Sequence, residues 1–247
     1  MTERNLGRLD VYPNADELAT ALADLFADEA ETAQTERGAF YVALAGGTTP
    51  TAAYQLLASD AYAERISWND VYVYFGDERC VKPDDPLSNY KTAFDALLSH
   101  VPIPTGNVHR MKGEIDPAEA ATEYAAILRE DLDDALAFDL VMLGLGKDGH
   151  TASLFPGTDP TTDAERLVRG TYSTATQNNR LTITPTIING ARKVAVAAAG
   201  ADKSTALATA REGAYNPTAC PAQIIDPVKG DLIWLVDELA AGMLTKR

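Results

Sequence analysis

Apolar residues in this chain fall into two alternating patterns. Short, largely apolar runs at Phe40–Ala45, Trp68–Phe75, Leu140–Leu145, Lys193–Ala199 and Leu232–Val236 are bounded by turn residues. Runs of that kind read as strands buried on both faces, as in a parallel sheet. Between them, apolar positions recur at helical spacing: Leu18, Leu22, Leu25 and Phe26, then Ala53, Tyr54 and Leu57, then Ala120, Tyr124, Ile127, Leu128 and Leu132. Helix starts are marked by Asn14 with Glu17 and by Asp116-Pro117 with Glu119, both capping-box patterns, and Gly38 marks the end of the first helix.

Weaker signals fill in the rest. Leu9–Tyr12 reads as a first strand, Ser88–Tyr90 as the start of a helix through Leu98, and Val108–Met111 as a short strand. Leu167–Ser173 and Arg180–Thr184 read as strands, Pro185–Asn189 as a short helix, and the stretch after Lys203 as a helix to Arg211. Short helices at Ala219–Ile224 and Glu238–Leu244 complete the chain. Alternation of strand and helix predicts one α/β domain over residues 1–247. Its expected form is a three-layer α/β/α, Rossmann-like fold with a mostly parallel sheet, and a small β-rich insertion at about residues 165–184.

Charge narrows the partners. With 36 acidic against 21 basic residues, the formal net charge is −15. Such a field repels phosphate backbones, so no nucleic-acid partner is expected. An anionic ligand would need cations gathered locally, which makes each Arg or Lys inside a motif informative. No apolar run approaches the ~20 residues of a membrane span, and Met-Thr-Glu-Arg-Asn lacks the layout of a signal peptide. Cys80 and Cys220 make neither a disulfide framework nor a metal cluster. A cytoplasmic protein with reduced thiols, away from membranes, and a monomer or weak homo-oligomer, is the expectation.

Three of the buried strands run into residues that carry chemistry, and in open α/β sheets ligands bind outside the carboxyl ends of strands. Phe40–Ala45 leads into Gly46-Gly47-Thr48-Thr49-Pro50. Glycines admit backbone N–H groups, hydroxyls donate, and a helix start favours an anion, so this is a candidate phosphate cradle. Pro50 suits the first helical position with Thr49 as cap. The same residues also suit an ordinary strand-to-helix turn. Val71–Phe75 leads into Gly76-Asp77-Glu78-Arg79-Cys80, which is either a substrate loop or a solvated charge run. Leu140–Leu145 leads into a glycine turn bearing Lys147, Asp148 and His150.

That last segment, Gly144-Leu-Gly146-Lys-Asp-Gly149, matches the G-x-G-x-x-G dinucleotide fingerprint. Pro156-Gly157 leaves room for little helix after it, and Asp148 would sit beside a diphosphate. The acid expected about 20 residues on falls in a polar stretch with Thr162, Asp163 and Glu165 rather than at the end of a strand. A nucleotide cofactor is therefore not expected.

Taken together, Ala45–Pro50, Gly76–Val81, Ser88-Asn89-Tyr90, Leu143–Gly157, Arg180–Pro185 and Gly200-Ala-Asp-Lys203 resemble the 6-phosphogluconolactonase family, hydrolases of the pentose phosphate pathway. The fold implied is shared with glucosamine-6-phosphate deaminases and ribose-5-phosphate isomerases. Deaminases carry a glutamate five residues after the histidine, where this chain has Phe155. They also usually lack an arginine after Asp-Glu, where this chain has Arg79.

The resemblance implies a phosphorylated sugar lactone as substrate, with no cofactor and no metal. His150 is the implied general base, since histidine titrates near neutral pH, with Asp148 orienting it or raising its pKa. A histidine bonded only to its own loop is the other reading. Arg79, with backbone N–H groups of the glycine loop second, would stabilise the oxyanion. Gly46, Gly47, Thr48, Thr49, Arg180 and Lys203 would hold the phosphate, although Lys203 also reads as an exposed helix-start lysine. Asp77, Glu78 and Asn89 would bind sugar hydroxyls or hold Arg79. Lys147 reads as solvated, and His100 and His109 as structural or surface residues.

Overall fold

A computed structural model describes residues 5–132, 136–158 and 165–246. Part of the polar stretch read above, including Thr162 and Asp163, and the first four residues lie outside these limits. In chain order the elements are β1 (Arg8–Tyr12), α1 (Ala15–Arg37), β2 (Phe40–Leu44), α2 (Thr48–Leu57), α3 (Asp60–Ala63), β3 (Val71–Phe75), β4 (Asp77–Arg79) and α4 (Asn89–Ala93). There follow α5 (Pro117–Asp131), β5 (Leu140–Gly144), β6 (Val168–Ser173), β7 (Asn178–Ile183), α6 (Pro185–Gly190), β8 (Lys193–Ala198), α7 (Ser204–Glu212) and β9 (Asp231–Asp237).

Six strands form one sheet in the order β1-β9-β8-β5-β2-β3, and every neighbouring pair is parallel. All six carboxyl ends therefore lie on one edge. Alternating side chains of β5 divide between two apolar clusters: Leu140 and Met142 join α1 and α2, and Val141 and Leu143 join α5, α6 and α7. This is the three-layer α/β/α arrangement. From β2 the chain steps outward to β3 and later returns to β5 on the other flank of β2. The reversal between β2 and β5 is the kind of crevice where such sheets bind ligands.

Local chemistry explains the helix ends. Asn14 accepts hydrogen bonds from the N–H groups of Asp16 and Glu17, and Gly38 closes α1 at a φ of 81°. Asp116 accepts from Ala118 and Glu119 at the start of α5. Each cap contributes about 1 kcal/mol.

Several elements differ from the sequence reading. Val108–Met111 forms no strand, and only an isolated bridge joins Val108 to Val73. Residues 68–70 make a 3-10 turn ahead of β3, and a π turn at Phe94–Leu98 continues α4. The charge run after β3 is not a loop. It forms β4, which pairs antiparallel with β7 in a second sheet ordered β4-β7-β6. The β-rich insertion thus recruits a strand from far upstream, and Leu181 and Ile183 bury its inner face in the α5–α7 core.

His109 is half-buried away from the strand ends. Its ring stacks on Tyr74 at 4.6 Å, and the Tyr74 hydroxyl donates to Asp131 at 2.7 Å. The His109 Nε2 has no hydrogen-bond partner. Burial pushes His109 below the usual range, outweighing the upward pull of Asp131. A base depressed in the folded state binds its proton first in the unfolded chain. Stability therefore falls as pH drops through the unfolded value of about 6.5, and the loss is complete below the folded value. His109→Phe keeps the ring stack and removes the proton site. Melting temperatures measured from pH 7.5 to 5 should fall less steeply for the variant than for wild type. Parallel curves would remove His109 from the linkage.

Candidate active site

The turn after β2 is built for close approach. A Cβ on Gly46 would lie 2.0 Å from Asn89 Oδ1, so only glycine lets α4 pack there. Gly47 adopts a φ of 104°, in the left-handed region that glycine tolerates. The Tyr54 hydroxyl donates to the Ala45 carbonyl at 2.8 Å and accepts from its N–H at 3.1 Å, which fixes the turn from below. Helix α2 begins at Thr48 with Gly47 in the cap position and no side-chain cap. Thr49 is therefore not the cap, and Pro50 is the third residue of the helix, where its missing N–H breaks no intrahelical bond. Gly46, Gly47, Thr48 and Thr49 all line a cavity of about 550 Å³.

The turn after β5 folds His150 back over Gly146. The Gly146 N–H donates to the His150 carbonyl at 2.8 Å. A Cβ on Gly146 would meet the His150 Nδ1 at 2.0 Å and the Asp148 Oδ1 at 2.7 Å. His150 Nδ1 and Asp148 Oδ1 are 2.5 Å apart, and the His150 N–H also donates to that oxygen at 3.1 Å. Burial works to raise the Asp148 carboxyl. The imidazole charge and the bonds from His150 outweigh it and leave the carboxyl below its ordinary range. An ionised carboxylate only accepts, so the proton of this contact belongs to Nδ1 and Nε2 is left as the free nitrogen. The Phe155 ring packs against the imidazole at 5.0 Å. No helix follows within Leu145–Thr158, which removes the element that a dinucleotide site needs.

The small sheet supplies the third wall. Arg79 on β4 and Arg180 on β7 are direct cross-strand partners, and both line the cavity. Like charges so placed repel. Burial pushes the Arg180 guanidinium below its ordinary value, Asp77 pulls it back up, and Arg79 adds to the depression. The arrangement is relieved by an anion. Arg180 is aimed by Asn178, which accepts from its Nε at 2.8 Å, and by Thr176, which accepts from Nη2 at 3.0 Å. Arg79 donates from Nη1 to the Leu87 carbonyl, and its buried Nε has no partner.

The three residues expected to bind hydroxyls or hold Arg79 separate here. Glu78 is buried and does not line the cavity. Its oxygens accept from the N–H groups of Arg79, Asn89 and Tyr90 and from the Ser88 hydroxyl. Burial pushes its carboxyl up, and those four bonds pull the other way without cancelling the rise. Glu78 thus fastens the start of α4 and the backbone of Arg79, and has no oxygen left for a sugar. Asp77 lines the cavity, yet accepts from Asn89 Nδ2 at 2.9 Å and from the Ser153 hydroxyl at 2.6 Å. Asn89 gives its Nδ2 to the Asp77 carboxylate and carbonyl, and its buried Oδ1 is unpartnered.

Lys203 lines the cavity from the turn after β8. Lys147 is exposed and, rather than standing free in solvent, pairs with Asp202 at 3.1 Å. That ion pair joins the two turns across the rim. Sequence reasoning missed Ser153, Ser173 and Thr176, which also line the cavity. Nothing in a hydroxyl residue's immediate neighbours announces a partner across the sheet. Among the described residues, no cluster of three or more His, Cys, Asp or Glu is placed to hold a metal ion. No helix among them is long and apolar enough to cross a membrane.

The glucosamine-6-phosphate isomerase/6-phosphogluconolactonase family model matches residues 13–234. A 6-phosphogluconolactonase from a Nostoc species is 36% identical over 242 residues, covering 96% of this chain and 98% of its own length. One from a Synechocystis species is 41% identical over 210 residues, covering 83% of this chain and 85% of the other. The solved structure of 6-phosphogluconolactonase from Trypanosoma brucei superposes with a TM-score of 0.86 at 27% identity, covering 97% and 99% of the two chains. The chain therefore belongs to the glucosamine-6-phosphate isomerase/6-phosphogluconolactonase family.

Proposed function

We propose that this chain, acting as a single α/β domain, hydrolyses 6-phospho-D-glucono-1,5-lactone to 6-phosphogluconate. The observation that carries the reading is the shared cavity: the His150–Asp148 pair and the Arg79–Arg180 pair open onto the same space of about 550 Å³. That volume suits a small ligand. The same space offers a base and, in a protein whose net charge is −15, two cations.

The chemistry follows from the groups present. Nε2 of His150 takes a proton from water as the water oxygen attacks C1 of the lactone. Asp148 holds the ring by Nδ1 and stabilises the imidazolium that forms. The oxyanion at C1 is met by Arg79, whose unpartnered Nε supplies a donor, or by N–H groups of the glycine loop. The bond from C1 to the ring oxygen then breaks, and the imidazolium returns its proton to that oxygen. Phosphate sits on Gly46, Gly47, Thr48 and Thr49, with the Arg180 fork and the Lys203 point charge completing the site.

A deaminase would need further proton-transfer groups near the imidazole. Phe155 fills the space against His150 instead. Freshly generated 6-phosphogluconolactone should be consumed by the purified protein well above its spontaneous rate, and glucosamine 6-phosphate should release no ammonia. Ammonia release without lactone turnover would reverse the assignment. Binding of the lactone without turnover would make the chain a sugar-phosphate-binding regulator.

A further inference from the structure

Two residues of the small sheet, Asp77 on β4 and Thr182 on β7, form one cross-strand rung, and Ser153 is bonded to both. Its hydroxyl donates to Asp77 Oδ2 at 2.6 Å, and its backbone N–H donates to the Thr182 hydroxyl at 3.2 Å. Ser153 is fully buried. The preceding residue, Ala152, adopts a φ of 47°, a left-handed conformation that a non-glycine residue holds only when its surroundings impose it. Two rungs along, past Glu78–Leu181, lie Arg79 and Arg180. Residues two apart on a strand point to the same face, so Asp77 and Arg79 share one face, as do Thr182 and Arg180.

The other anchors of the glycine turn lead elsewhere. Thr151 ties it to the Gly144 carbonyl of β5 at 2.9 Å, and Ala222 donates to the Gly149 carbonyl at 2.9 Å. His150 itself bonds to Asp148 within the same turn. Of these bonds, only those of Ser153 run from the turn to the sheet that carries the two guanidiniums. We propose that Ser153 is a positioning residue, latched on the Asp77–Thr182 rung, which sets the placement of the His150 imidazole relative to Arg79 and Arg180. The proposal rests on the lactonase reading. Reaction at C1 needs base and cations held in register, and small misplacements of a reacting group are costly.

The test is a double-mutant cycle on lactone hydrolysis. Ser153→Ala should lower kcat about 10- to 100-fold and leave KM unchanged, because the phosphate is gripped by other elements. In a His150→Ala background the same substitution should cost nothing further, since there is no imidazole left to aim. Thr182→Val removes the second bond with little change in shape, and should show the same split should Ser153→Ala fail to fold. A wild-type kcat in the folded variants, a change in KM alone, or an equal loss with and without His150 would overturn the proposal. Wild-type protein inactive on the lactone would instead overturn the reading beneath it.

Discussion

Replacing His150 with alanine is expected to lower kcat for lactone hydrolysis by about 100-fold or more, with KM close to the wild-type value. The imidazole is held at 2.5 Å from Asp148, a contact that places the proton on Nδ1 and leaves Nε2 to accept one from water. Losing it removes proton transfer in the transition state, not the grip on the ground state. The cavity wall carrying Arg180, Lys203 and the Gly46–Thr49 turn is untouched. Because the substrate hydrolyses on its own, rates must be compared after subtracting the uncatalysed reaction. Equal corrected rates for the variant and wild type would remove His150 from the reaction.

The second large effect is expected at the cations that line the same cavity. Arg180→Ala should raise KM about 10- to 100-fold, the range expected for hydrogen bonds to a charged group, with a smaller change in kcat. Arg180 is pre-aimed by Asn178 and Thr176 and sits directly across from Arg79. In the absence of an anion the two guanidiniums oppose each other, so a phosphate bound at Arg180 offsets that repulsion. Arg180→Lys should recover part of the loss, because a point charge replaces a two-pronged fork. An unchanged KM in Arg180→Ala, measured by initial rates over a range of lactone concentrations, would place the phosphate elsewhere.

Much of this geometry was legible in the sequence because it rests on local rules. Buried apolar runs gave the parallel strands, and Asn14, Gly38 and Asp116 marked helix ends by their own hydrogen-bonding or conformational needs. Once the strands are parallel, the turns after β2, β3 and β5 must share an edge. That is why Gly46, Thr48, Asp77, Asp148 and His150 could be grouped before any coordinates. What stayed hidden depends on distant partners. Asp77-Glu78-Arg79 looks like a solvated charge run, and becomes a strand only because β7 pairs with it. Glu78 is a charged residue that no local rule would bury, and its burial is offset by four donors gathered from the start of α4 and its own strand. Ser153 carries no signal of its own, since both its partners lie on strands far from it in sequence. The start of α2 was misplaced because Pro50, third in the helix and two positions later than proline's commonest place, still gives up no intrahelical bond.

The most direct measurement is a crystal structure with 6-phosphogluconate bound. The expected result places the C1 carboxylate against His150 Nε2, and the phosphate within hydrogen-bond distance of Arg180, Lys203 and the Gly46–Thr49 turn. A product whose phosphate lies against Asp148 and His150, or whose C1 lies beyond reach of the imidazole, would contradict it.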